Sequence, residues 1–449
     1  MIKSLIKKII PNQLLLLYHK VLAILGNIIY WFPSHKMVVI GVTGTKGKSS
    51  TVVMITRILE EAGYKVGSTN TIFFKIGDKE WPNKLKQGML GRLKLQKFLR
   101  KMARANCTYA VIEVTSEGIL QNRQWGIAFD VCVFTNLGPE HIESHGSYDK
   151  YRRAKELIFK NLYKSYKKPA SLTQSLFGDE NKDAKVKKVI VVNSCDVAAE
   201  KFLRHRADKK FVVGTKCNKK DYEIKNYSCL CPDEIKQSKD GAIISILGHY
   251  INIKIPGLFM ASNALLAIAT ARSLGVSMSI CELALEKIDF LPGRVEIIKS
   301  KKGFNIMIDY AHEPKSFQAI FETARNMCER NIIAVFGATG GGRDSVKRPK
   351  MGEIASKYAN NIILTTDDPY DDDPKKLAQD IKKGISEIKN IDIIIDRKNA
   401  IKKAMSIAKK DDLILVLGKG SEQTMAVKGG RYVEWNDRKV VQEILENNK

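Results

Sequence analysis

The run Gly41-Val-Thr-Gly-Thr-Lys-Gly-Lys-Ser-Ser50 joins a β-branched stretch to the helical pattern Thr51–Glu61. A glycine-rich turn of this kind aims backbone N–H groups and a helix N-terminus at phosphate. Gly44, Thr45, Lys46, Gly47 and Ser50 would line the cradle, Lys48 would reach the outer phosphates, and the Ser49 hydroxyl would hold Mg²⁺. The generic phosphate-loop pattern wants glycine where Val42 stands, and without further context the same residues describe an ordinary glycine turn. Glu113 closes a second β-branched run, where a hard carboxylate oxygen suits Mg²⁺ or, equally, an ion pair. His141 is a second metal candidate. Lys155, fourteen residues on, falls within the next helix and alone reads as a solvated side chain.

The elements that must position these groups alternate. Short β-branched runs at Val38–Val42, Tyr109–Val114, Val131–Phe134 and Val189–Val192 are separated by amphipathic stretches, the pattern of βαβ units around a parallel sheet. Ala242–Ile255 reads as hairpin strands, and the helix Ala261–Leu274 stops at Gly275. After a hinge at Leu291–Arg294 the alternation restarts, with strands expected at Phe304–Ile308, Ile332–Phe336, Ile362–Thr365, Ile391–Ile395 and Leu413–Leu417. The expected class is α/β, divided into an N-terminal segment 1–36, a central domain 37–298 and a C-terminal domain 299–449.

The 449 residues are 44% hydrophobic and 27% charged, which excludes a low-complexity or wholly disordered chain and allows about three packed units. The net charge of +27 favours anionic partners, or reflects a lysine-rich composition. The basic run Lys84–Lys101 lacks the aromatic interleaving of a nucleic-acid platform, so nucleic acid is not expected. Eight cysteines are scattered without a disulfide framework, which suits a reducing cytoplasm. The cluster Cys217, Cys229 and Cys231 lacks the paired spacing of a zinc site. Leu14–Phe32 is nearly long enough to cross a bilayer, but His19, Lys20 and Asn27 interrupt it. An interfacial helix edged by Tyr30, Trp31 and Phe32, and a helix packed on the next domain, are the two leading readings; Pro33 is expected to lead straight into a strand.

GTKGKSS resembles the GTxGK[ST] loop of the Mur ligase superfamily, and further motifs follow in the family's order. Glu113-Val-Thr-Ser-Glu-Gly118 with Gln121 and Arg123 is similar to the EVSSxGL-Q-R segment of UDP-N-acetylmuramyl-tripeptide synthetases. Phe134-Thr-Asn-Leu-Gly-Pro-Glu-His141, His145-Gly146 and Tyr151-Arg-Arg-Ala-Lys155 resemble the FTNLxxDHLDxHG…YxxAK block. Asn263 and the LPGRVE of 291–296 look like the end of the ATPase domain. Asp309-Tyr-Ala-His312, Gly342-Arg-Asp344, Lys347-Arg-Pro349 and Gly418-Lys-Gly-Ser-Glu422 look like the carboxyl-terminal domain, so the resemblance covers residues 37–449.

The resemblance implies ATP- and Mg²⁺-dependent amide synthesis: a peptide carboxylate of a UDP-MurNAc-dipeptide-like cell-wall precursor becomes an acyl phosphate, which an amino acid's amine then attacks. It assigns the metal to Ser49, Glu113, His141 and Lys155, with Lys155 carbamylated. It assigns nucleotide contacts to Asn263, Arg294, Asp309, Tyr310 and His312, with Lys48 and Arg294 as counter-charges. Ser116, Gln121 and Arg123 fall to the acceptor; Arg343, Asp367, Asp368, Tyr370, Gly418 and Glu422 fall to the amino acid. Relatives that add meso-diaminopimelate carry arginine where Tyr370 stands, and a phenol lacks the bidentate fork for a carboxylate. Lysine or another diamino acid, its ammonium meeting Asp367, Asp368, Asp371 or Glu422, is therefore a reasonable addition. Ser421 replaces a usual histidine, Glu140 replaces aspartate, and Gln87–Arg92 lacks the TTP of the peptide site. Residues 1–36 are too few for the family's uridine-binding domain. Competing readings are a folylpolyglutamate-synthetase-like enzyme, opposed by EVTSEG, GRD and KRP together, and a nucleotide-binding scaffold without catalysis, opposed by the intact Lys48, Ser49, Glu113, His141 and Lys155. A dinucleotide oxidoreductase would need a spacing that Gly337–Gly342 lacks.

Overall fold

Val38-Val-Ile-Gly-Val-Thr43 is buried at every position, which requires cover on both faces and so a parallel sheet between helical layers. The computed structural model describes residues 12–138, 145–172, 184–216, 227–342, 345–385 and 390–447. In chain order, α1 (Asn12–Ile29), β1 (Val38–Thr43), α2 (Lys48–Glu61), β2 (Val66–Thr69), β3 (Phe73–Ile76) and β4 (Lys79–Pro82) lead into α3 (Arg92–Arg104) and β5 (Tyr109–Glu113). There follow α4 (Ser116–Leu120), β6 (Val131–Phe134), α5 (Tyr148–Leu162), β7 (Val189–Asn193), α6 (Ala199–Leu203), β8 (Lys209–Val213) and β9 (Ser228–Leu230). These strands form one sheet in the order β4-β3-β2-β5-β1-β6-β7-β8-β9, parallel except at β3 and β4. Because β1 sits between β5 and β6, the sheet's order reverses there, and a crevice opens at the strands' C-terminal ends.

An antiparallel sheet of β10 (Glu234–Ser238), β11 (Gly241–Ile246) and β12 (His249–Ile253) precedes α7 (Leu258–Ser273) and α8 (Met278–Glu286). Helix α7 is almost wholly apolar and lies buried against α2, which carries Asn263 to the start of that helix. The second large sheet comprises β13 (Glu296–Lys299), β14 (Asn305–Asp309), β15 (Ile332–Phe336), β16 (Asn361–Leu364), β17 (Asn390–Ile393) and β18 (Leu413–Leu417), ordered β13-β14-β18-β15-β16-β17. Strand β13 pairs antiparallel with β14, so a division at 298/299 cuts a strand of this second sheet. Helices α9 (Pro314–Met327), α10 (Lys347–Tyr358), α11 (Pro374–Lys382), α12 (Arg397–Ile407) and α13 (Asp437–Asn447) accompany it, and β19 (Thr424–Val427) and β20 (Arg431–Glu434) form a separate hairpin.

One expectation changes at the N-terminus. Pro33–Lys36 forms a 3₁₀ turn rather than leading directly into β1, because proline suits a helical first turn. Among the described residues no helix is long and apolar enough to cross a membrane. Helix α1 packs on α3 through Gly26 against Leu93 and Gln96, and buried Asn27 donates to the Ala23 and Trp125 carbonyls. Among the scattered cysteines, Cys231 is disulfide-bonded.

Beneath β1 and β6, Asp130 accepts from the Val39 N–H at 2.8 Å and pairs with both Lys168 and Lys188, all three side chains being fully buried. Burial pushes the Lys168 ammonium down to about 8, against the pull of Asp130. Removing the shared anion leaves two buried cations without their counter-charge. Asp130→Asn is expected to lower the unfolding free energy by about 3–5 kcal/mol in urea denaturation, and a loss below about 1 kcal/mol would refute this account.

Candidate active site

The turn after β1 is held open from several sides. Asn136 accepts from the Lys46 N–H at 2.9 Å, Thr135 donates to the Lys46 carbonyl at 2.6 Å, and the Thr45 hydroxyl lies 2.9 Å from that of Tyr151 on α5. His145 meets the Tyr151 ring edge-on at 5.0 Å. Gly47 has φ +78°, and a Cβ there would fall 2.3 Å from the Asn263 carboxamide oxygen, so only glycine fits. Lys48 Nζ donates to the Thr45 carbonyl at 2.8 Å, and Ser50 is buried in the first turn of α2. Lys155, expected from its own pattern to be solvated, is instead buried; its Nζ donates to the Gly44 carbonyl at 2.7 Å and lies 4.6 Å from the Tyr151 ring centre.

Beside the loop, Ser49 Oγ donates to Glu113 Oε2 at 2.8 Å and lies 2.6 Å from Thr71 Oγ1, whose backbone N–H donates to the same carboxylate at 3.0 Å. Arg294 reaches Thr71 Oγ1 at 3.3 Å and stacks 4.5 Å from the Tyr310 ring centre. These hard oxygen donors at the edge of a phosphate loop fit Mg²⁺. Among the described residues no group of three or more His, Cys, Asp or Glu could hold a metal, so such an ion would draw on the Glu113 carboxylate, the Ser49 hydroxyl, water and phosphate oxygens. His141 and Arg343 lie outside the described residues.

From the second sheet, Asp309 ends β14 and accepts from the Val295 and Ala311 N–H groups at 2.8 and 2.7 Å. Burial raises its carboxyl, opposed by Arg294, by the two N–H groups and by Lys46 of the loop. His312 Nδ1 lies 2.7 Å from the Tyr310 carbonyl. Ser116 is buried in the first turn of α4, while Gln121 accepts from Arg123 at 2.8 Å and Arg123 also bonds the Met89 carbonyl.

The acidic cluster differs from expectation. Lys86, on the segment between β4 and α3, crosses the cleft to Asp368 at 2.6 Å and Glu422 at 3.0 Å. Lys419 pairs with Asp368 at 2.9 Å, Asp367 at 3.7 Å and Glu422. Burial favours the neutral form of Asp368, but Lys419 and Lys86 outweigh it and hold the carboxyl below its usual range. Asp367, wholly enclosed, is pushed up to about 6 by burial. The carboxylates assigned to an incoming ammonium are thus already engaged by two lysines of the chain. Gly418 lies against Asp367, and Tyr370, at φ +52°, donates its N–H to the Ala426 carbonyl at 3.4 Å. At the link between the sheets, a Cβ on Gly293 would fall 2.0 Å from the Ser421 nitrogen.

Sequence reasoning missed Thr71, Asn136, Lys86 and Lys419 as site residues. The polar run Ser68-Thr-Asn-Thr71 at the end of a buried strand was the available signal for Thr71. Lys86 sits among other lysines and carries none.

The Mur ligase middle domain matches residues 42–271, and the Mur ligase glutamate ligase domain matches 293–420. The UDP-N-acetylmuramoyl-L-alanyl-D-glutamate--2,6-diaminopimelate ligase of Clostridium tetani (strain Massachusetts / E88) is 34% identical over 95% of this chain and 81% of its own length. The UDP-N-acetylmuramyl-tripeptide synthetase of Roseiflexus sp. (strain RS-1) is 33% identical over 93% and 80%. Folylpolyglutamate synthase of Mycobacterium tuberculosis, solved with ADP and AMPPCP, shares the fold at TM-score 0.65 and 16% identity, covering 89% of this chain and 92% of that one. Matched by both Mur ligase domains over most of its length and 34% identical to a ligase across 95% of the chain, with Ser49 and Glu113 beside its glycine-rich loop, the chain belongs to the Mur ligase family and is an ATP-dependent ligase.

Proposed function

We propose that this ligase adds a diamino acid, lysine first, to a UDP-MurNAc-dipeptide-like precursor in the cytoplasm. One observation carries the reading. Arg294, on the link between the two α/β units, contacts Thr71 on the phosphate side and stacks on Tyr310, whose hydroxyl donates to Glu422 of the acidic cluster at 3.5 Å.

In this reading the acceptor's carboxylate takes the terminal phosphoryl group of ATP, ADP leaves, and the amino acid's amine displaces phosphate to form the amide, losing a proton. Little covalent work falls to the protein, which positions the reactants and offsets charge. Lys48 and Arg294 supply the counter-charge, and Asn263, Asp309, Tyr310 and His312 surround the nucleotide. Bound Mg²⁺ would neutralise phosphate charge from Ser49 and Glu113, with His141 completing the set. Ser116, Gln121 and Arg123 border the acceptor; Arg343, Asp367, Asp368, Tyr370, Gly418 and Glu422 border the amino acid. Lys155 is buried beside the loop, where reaction of its neutral amine with CO₂, releasing a proton, would replace an ammonium by carbamate oxygens.

Phosphate release from ATP is expected to need both UDP-MurNAc-L-Ala-D-Glu and an amino acid, and to be fastest with lysine among lysine, meso-diaminopimelate, alanine and glutamate. A rate unchanged by every pairing overturns the reading, and a glutamate-specific rate with a folate acceptor replaces it. Lys155→Ala should lose turnover and regain part of it with short carboxylates. Absence of rescue, with an unmodified lysine mass in the parent protein, counts against the carbamate. Lys86→Met removes a cation that competes for Asp368 and Glu422, so the KM for lysine should fall about tenfold, equivalent to about 1.4 kcal/mol. A raised KM would mean that Lys86 helps to hold the amino acid.

A further inference from the structure

Helix α1 keeps only one side for the protein. Ala23, Gly26 and Asn27 face inward, while Leu14, Leu17, Val21, Leu25 and Ile28 form a stripe at helical spacing, each 43–56% exposed. The chain then turns through two bulky residues with positive φ, Trp31 and Phe32, and Trp31 is left 75% exposed. Large aromatic rings at the end of an uncovered apolar stripe suit the boundary between headgroups and acyl chains.

The two helices that frame the stripe carry charge of one sign. No Asp or Glu occurs in the sequence before Glu60, and none lies in α3, on which α1 packs. Lys20 on α1 and Lys94, Lys97 and Lys101 on α3 are exposed. From Leu14 to Ile28 the stripe runs about 21 Å, short of the roughly 30 Å of hydrocarbon that a spanning helix must cross. Its geometry therefore fits a helix lying in the surface plane, with lysines reaching phosphate and apolar side chains dipping beneath.

We propose that the exposed face of α1, with the basic face of α3 beside it, docks this ligase onto an anionic lipid bilayer. The surface lies outside the loop and the acidic cluster, so docking and amide synthesis are separable.

The test uses the full chain with vesicles of phosphatidylcholine alone and of phosphatidylcholine mixed equally with phosphatidylglycerol. Co-sedimentation with the mixed vesicles is expected, weakening as salt is raised. The variant Leu17→Glu/Val21→Glu/Leu25→Glu should fall to the level seen with phosphatidylcholine alone, while its phosphate release from ATP matches the parent. Failure to sediment with anionic vesicles at low salt overturns the proposal, as expected if residues 1–11 cover the face. Binding that the triple variant retains also overturns it. So does a parent dimer, by light scattering, that the triple variant converts to monomer, since a second copy would then occupy the stripe.

Discussion

A carboxylate at the end of a fully buried strand needs hydrogen bonds, and Glu113 takes them from the Ser49 hydroxyl and the Thr71 N–H. That requirement ties the helix after β1 to the turn between β2 and β3. Through Thr71 it extends to Arg294, and through the stacked Tyr310 to the second sheet. One anion therefore organises the first turn of α2, the turn between β2 and β3 and the contact between the units. The glycine loop depends on the same packing: Thr135 and Asn136 at the end of β6 and Tyr151 on α5 hold its backbone, leaving Lys48 next to Ser49.

Much of this was legible before any coordinates. The strands Val131–Phe134, Ile332–Phe336 and Leu413–Leu417 have the boundaries expected from their apolar runs, because a parallel sheet covered on both faces leaves uninterrupted β-branched stretches. The loop residues were legible because glycine and lysine at fixed offsets have a backbone reason. Lys155 was not readable from its own surroundings: its helix is polar on one side, and only the tertiary approach to Gly44 shows that it is buried. The acidic cluster misled for a related reason. Composition exposes the negative charges of Asp367, Asp368 and Glu422, but a partner 282 positions away along the chain leaves no local trace.

Charge is handled differently in the two buried networks. Asp130 stands between Lys168 and Lys188 as one anion for two cations, at the end of the sheet remote from the loop. In the cleft the ratio reverses: Asp367, Asp368 and Glu422 share Lys86 and Lys419, and Asp367 holds its proton to about 6. The first arrangement braces the strands. The second joins the segment after β4 to the second α/β unit.

Gly293 separates what architecture demands from what substrate choice permits. With no room for a methyl group between the interdomain link and Ser421, a chain that closes this way keeps glycine at 293 whichever amino acid it joins. Tyr370 is placed otherwise, by its N–H on the Ala426 carbonyl and by its ring against Gly341. Divergence of specificity can therefore proceed at the rim of the cleft while the hinge stays chemically silent.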